Sequence, residues 1–110
     1  QQLRQVFLNL FLNSLDAMNG HGGQLTVSTA TADSRLTVTV SDTGCGIPKD
    51  DLKRIFDPFF TTKPSGTGLG LSVVQGIIRE HGGRIQIDSK AGQGTTVRIT
   101  LPVPAHDAQE

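Results

Sequence analysis

At 110 residues and 11.7 kDa the chain has room for one domain with a single core, which excludes a second folded module. Ten Lys and Arg balance ten Asp and Glu, so no bulk field draws a polyanion, and neither nucleic acid nor direct membrane contact is expected. One cysteine, Cys45, leaves no internal disulfide, and no apolar run of about 18 residues occurs, which together fit a reducing, cytoplasmic setting.

Residues 2–18 predict the first helix. Leu3, Val6, Phe7, Leu10, Phe11 and Met18 fall on one side of a helical wheel, with Leu8, Leu12 and Leu15 beside them. Such a helix is expected to be buried around most of its circumference. The exception is a polar stripe in which Asn9 and Asn13, four apart, share a face with Gln2, Gln5 and Asp16. Asparagine is a poor helix-interior residue and costly to bury unpaired, so the stripe calls for solvent or for a polar partner such as a hydrated metal with phosphates. No N-capping residue precedes the helix, which reads as a domain cut just upstream of its natural beginning; Asn19-Gly20 stops it.

Leu25, Val27 and Thr29 then alternate with polar or small residues, as do Leu36, Val38 and Val40, with Ala32-Asp33-Ser34 between the two runs. This pattern predicts a β-hairpin. A short helix follows over residues 50–56, a Pro, Thr and Gly segment over 58–68, and a helix over 69–81 ended by Gly82-Gly83. Residues 84–88 and 95–101 form a second strand pair around Ala91-Gly92-Gln93-Gly94, Pro102 and Pro104 close the sheet, and residues 105–110 are a polar tail after a domain of residues 1–104. The order implies an α+β two-layer sandwich, with helices on one face of a mainly antiparallel sheet.

Seven of the 13 glycines fall into three clusters: Gly44 and Gly46; Gly66, Gly68 and Gly70; Gly92 and Gly94. Glycine admits positive φ and lets a ligand approach without meeting a Cβ. The middle cluster runs into the helix at Leu69, so its amides and the positive helix end would face an anion. The three histidines, His21, His81 and His106, and Cys45 show no metal-ligand spacing.

Five segments in this order resemble the boxes of sensor histidine kinases. Asn9-Leu10-Phe11-Leu12-Asn13-Ser14-Leu15-Asp16-Ala17 resembles the N box, Asp42-Thr43-Gly44-Cys45-Gly46-Ile47 the first glycine box, and Phe56-Asp57-Pro58-Phe59-Phe60-Thr61-Thr62-Lys63 the F box. Gly66-Thr67-Gly68-Leu69-Gly70-Leu71 and Gly92-Gln93-Gly94-Thr95-Thr96 resemble the remaining glycine boxes, and the short link between F box and glycine box is similar to the nitrogen-regulation type.

The resemblance implies the Bergerat ATP-binding fold, with its first strand, which precedes the N box, absent from this sequence. It implies ATP and Mg²⁺ as ligands. Asn13 would coordinate the metal, Asn9 would support the phosphate side, and Lys63 would take the place of an arginine that many members carry where Thr61 stands. Asp42 would accept from the adenine amino group with Thr95 assisting through water, and Gly44, Gly46 and Ile47 would shape the base pocket. Gly66, Thr67, Gly68, Leu69, Gly70 and Leu71 would form the phosphate-facing end of a lid. The implied activity is delivery of the ATP γ-phosphate to a histidine on a separate dimerisation domain of the same parent protein, for onward transfer to a response regulator; no such histidine segment occurs in this sequence. The alternative is a conformational clamp ATPase of the same fold. In those relatives a glutamate stands four residues before the metal-binding asparagine, where this sequence has Asn9.

Overall fold

The computed structural model describes residues 2–18, 22–57 and 70–103. Over them the chain runs α1 (Gln2–Ala17), β1 (Leu25–Ala32), β2 (Arg35–Asp42), α2 (Lys49–Leu52), α3 (Gly70–Glu80), β3 (Arg84–Lys90) and β4 (Gly94–Pro102). The strands form one sheet in the order β1-β2-β4-β3, and every described pairing is antiparallel.

Period-two alternation puts the apolar residues of adjacent strands on one face. Val38 lies opposite Ile99, Val40 opposite Val97, and Ile85 and Ile87 continue the row on β3. Val6 and Leu10 of α1 and Val74, Ile77 and Ile78 of α3 close over this face to make the core. The opposite face carries Thr37, Thr39, Ser41, Thr96, Arg98 and Thr100, with Ser41 and Thr96 hydrogen-bonded at 3.0 Å. This is the helix-on-one-face sandwich expected from the element order.

Two local details differ from the sequence expectation, and a third, the stop of α3 at Gly82-Gly83, agrees with it. Ala32 pairs with Arg35, so the first hairpin turns on Asp33 and Ser34 alone, both at positive φ (54° and 61°). That mirror-image turn matches the twist of the flanking strands. The short helix is confined to Lys49–Leu52, beginning at Pro48, whose carbonyl accepts from Asp51 and Leu52 N–H; turns carry the chain on to the buried Ile55. α3 ends in a Schellman arrangement, Gly82 N–H donating to Arg79 O at 3.0 Å and Gly83 N–H to Ile78 O at 2.9 Å, with Gly82 at φ 77°.

The largest correction concerns α1, which is not buried around most of its circumference. Val6, Leu10, Ser14 and Met18 are buried, but Leu8, Leu12 and Leu15 are 55%, 49% and 55% exposed. In a two-layer arrangement a helix meets the sheet on one side and its neighbouring helix on another. Among the described residues nothing lies over the third. Val27 is 47% exposed for a related reason, because its strand is the sheet edge. No helix among the described residues is long and apolar enough to cross a membrane.

Candidate functional site

The centre of the site is the last residue of β2. Asp42 faces the core side, opposite Thr95 near the start of β4, and is only 8% exposed. Its Oδ1 accepts from Gly44 N–H at 2.9 Å, an Asx turn that fixes the carboxylate against the chain following it. Among the described residues no buried side-chain oxygen or nitrogen lacks a partner. The second carboxylate oxygen of Asp42 accepts no hydrogen bond from another described residue.

The loop after Asp42 is stitched down on three sides. Thr43 exchanges hydrogen bonds with Gln24, its N–H donating to Gln24 O at 3.2 Å and its Oγ1 accepting from Gln24 N–H at 2.9 Å. Cys45 N–H donates to Ala17 O at 2.9 Å, and Gly92 N–H donates to Cys45 O at 2.6 Å. Ile47 N–H donates to Ser89 Oγ at 2.7 Å. One loop thus joins the end of α1 to the β3–β4 hairpin.

Three glycines make this closeness possible. A Cβ on Gly44 would stand 2.7 Å from Ala17 Cβ, one on Gly46 would run into the Lys90 carbonyl, and one on Gly94 into the Asp42 carbonyl. Gly46 also has φ 73°, where an L side chain is strained. The sequence reading explains these glycines by turns at positive φ and by the approach of a ligand, and Gly46 and Gly94 do stand at positive φ. The structure adds that backbone approaches backbone there.

Asn9 and Asn13 are half-buried on α1, while Gln2, Gln5 and Asp16 of the same stripe are exposed. Because the Ala17 carbonyl is docked on the Asp42 loop, Asn13 and Asn9 stand one and two turns back from it, about 6 and 12 Å along the helix axis. Gly70 opens α3, and Leu71 packs against the core. Lys63, Gly66, Thr67, Gly68 and Leu69 lie outside the described residues, as does the F box beyond Asp57. The structure therefore brings together Asp42, Gly44, Gly46, Ile47 and Thr95, with Asn9 and Asn13 on the adjoining helix.

Sequence reasoning missed Ser89. Its Oγ lies 2.7 Å from Ile47 N, 2.9 Å from Gly94 O and 2.8 Å from Thr95 Oγ1, which makes it the hub between the two glycine turns. A signal was present: the core-facing positions of that strand read Ile85, Ile87, Ser89, a hydroxyl where the alternation asks for a third apolar residue. Cys45 is exposed and free, and no group of three metal-binding side chains occurs among the described residues.

Comparison with known proteins bears on this arrangement. The family described as histidine kinase-, DNA gyrase B- and HSP90-like ATPase matches residues 1–105. The sensor histidine kinase ZraS of Escherichia coli (strain K12) is 46% identical over 102 residues, 93% of this chain and 22% of that protein. Sporulation kinase C of Bacillus subtilis (strain 168) is 44% identical over 93% of this chain and 24% of its own length. This chain thus spans less than a quarter of either relative. Among solved structures, the nucleotide-free catalytic domain of histidine kinase ThkA superposes with a TM-score of 0.81 at 35% identity, covering 94% of this chain and 69% of that one. Full-length ShkA in complex with AMPPNP does so with a TM-score of 0.81 at 31% identity, covering 92% of this chain and 21% of that one.

Proposed function

The chain belongs to the family of histidine kinase-, DNA gyrase B- and HSP90-like ATPases, and its sheet and helices are the Bergerat fold; from that premise we propose that it is the ATP-binding catalytic domain of a two-component sensor histidine kinase. In this reading it binds ATP with Mg²⁺ and presents the γ-phosphate to a histidine on the dimerisation domain of its parent protein, from which a response regulator receives it. The observation that carries the choice within the family is Asn9, one turn before Asn13 on the same side of α1. An amide accepts no proton at neutral pH, so the position that would activate water for hydrolysis holds no general base. Transfer to a histidine requires no activated water.

The residues fit the nucleotide. The second oxygen of Asp42 is a fixed acceptor suited to an exocyclic amine, and Thr95 stands beside it in register. Ile47, Gly44 and Gly46 wall the base. Asn13 offers an amide oxygen, a donor that a hard cation takes, and Asn9 lies a turn further toward the triphosphate. Lys63 and the segment Gly66, Thr67, Gly68, Leu69, Gly70 and Leu71 would hold the phosphate end with a cationic side chain and backbone amides. When bound, the metal supplies charge neutralisation on the phosphates. The protein's share is orientation and the exclusion of water.

A radiolabelled-ATP assay tests the reading. The chain alone should turn ATP over negligibly, and label should reach a histidine only when a matching histidine-bearing hairpin is added in trans. Brisk phosphate release by the chain alone, lost in Asn13→Ala, would instead favour the clamp ATPase.

A further inference from the structure

Ser89 lies at the meeting point of three contacts but has a single proton to give. Ile47 N–H can only donate and the Gly94 carbonyl can only accept, while the Thr95 hydroxyl can do either. If Ser89 gave its proton to Thr95, the 2.9 Å contact to Gly94 O would hold no hydrogen. Only one arrangement satisfies all three contacts: Ser89 Oγ donates to Gly94 O and accepts from both Ile47 N–H and the Thr95 hydroxyl. Thr95 then has its proton turned inward and keeps only lone pairs for a ligand.

We infer that Ser89 is a positioning residue that sets the base specificity of the site by locking Thr95 as an acceptor. The inference rests on the nucleotide reading above. Asp42 is opposite Thr95 in the β2–β4 register, and its Oδ1 is held by Gly44 N–H. The site edge therefore places two acceptors, the Asp42 carboxylate and the Thr95 oxygen, side by side. An adenine, with an amine at C6, meets such an edge favourably; a guanine, with a carbonyl there, sets acceptor against acceptor. Neither Asp42 nor Thr95 alone accomplishes this, because a hydroxyl left free would rotate to donate to the guanine carbonyl. The lock on that rotation is Ser89.

Calorimetric titration of the 110-residue chain with Mg-ATP and Mg-GTP tests the assignment. Ser89→Ala should lower the ratio of ATP to GTP affinity by about tenfold, roughly the worth of one hydrogen bond, and Ser89→Thr, which keeps the hydroxyl, should restore it. In a Thr95→Val background the Ser89→Ala change should no longer move the ratio. A Ser89→Ala chain that weakens both nucleotides equally would show Ser89 to be a brace for the loop, and would overturn the inference while leaving the nucleotide reading intact. Should Ser89→Ala not fold, Thr95→Val against Thr95→Ser carries the decision: the valine must lose ATP preference and the serine keep it, and an unchanged ratio in Thr95→Val overturns the inference. A wild-type chain that binds neither nucleotide would remove the reading itself.

Discussion

Around Asp42, three stretches of backbone meet at distances that leave no room for a Cβ at the glycines, whereas the outer side of α1 presents Asn9, Asn13 and three exposed leucines from a helix that docks on this loop only at its end. In the first region the candidate binding groups and the fold are the same atoms: the Gly44 amide that steadies the Asp42 carboxylate also belongs to the turn lying against Ala17. In the second, the helix would form whichever residues stood on its outer positions. Function and stability should therefore be inseparable around Asp42 and separable along α1.

The harshest break should come at Gly46. An alanine there meets the Lys90 carbonyl and sits at φ 73°, with no flexible side chain to give way, so Gly46→Ala should cost about 3 kcal/mol or more in urea unfolding. A loss under about 1 kcal/mol would mean that the loop and the hairpin tolerate separation.

Along α1, Asn13→Ala should cost less stability than Gly46→Ala and yet weaken ATP binding in the presence of Mg²⁺ by about a hundredfold. Titration with and without the metal decides it. An equal loss in both conditions would detach Asn13 from the cation.

Asp42→Asn stands between the two regions, because the side-chain oxygen that accepts from Gly44 survives while the acceptor offered to the base is replaced by an NH2 donor. ATP affinity should fall by about 2 kcal/mol, the scale of a charge-assisted hydrogen bond, and GTP affinity by less. Equal losses for both nucleotides would place the role of Asp42 in the loop rather than at the base.

The smallest effect is expected at Leu12. Since it is already 49% exposed, Leu12→Gln should change stability by no more than about 0.5 kcal/mol and leave ATP binding as it was. A loss above about 1 kcal/mol would show that the leucine is covered in solution.

The two regions also differ in how far the sequence could foretell them. Alternation identifies Val38, Val40 and Ile99 as core, and the glycine pairs mark the turns, because both signals are local. Ser89 escaped because its importance arises from register: only when β3 lies against β4 does its hydroxyl meet Thr95, and only when the Asp42 loop folds over does it meet Ile47. The exposure of Leu8, Leu12 and Leu15 escaped for a different reason. A helical wheel shows which residues share a side but not what, if anything, lies above it. Asn9 and Asn13 stand out in the sequence through residue type and spacing, and Asp42 through the resemblance of its glycine box. That Ala17 anchors the helix beside the Asp42 loop does not, since it is a backbone contact that leaves no mark on side-chain identity.

The backbone of Cys45 receives Gly92 at its carbonyl and gives its own N–H to Ala17, so it joins the first helix to the last hairpin. Such long-range closure is entropically costly until most of the chain is in place. In vectorial synthesis the proposed base-binding end cannot exist in part: before β4 has emerged there is no Thr95 and no hairpin for the loop to close upon. Nucleotide would then find nothing to hold in an unfinished chain, and any help it gives to folding would come only at the final step, by drawing the completed domain toward its native state through mass action.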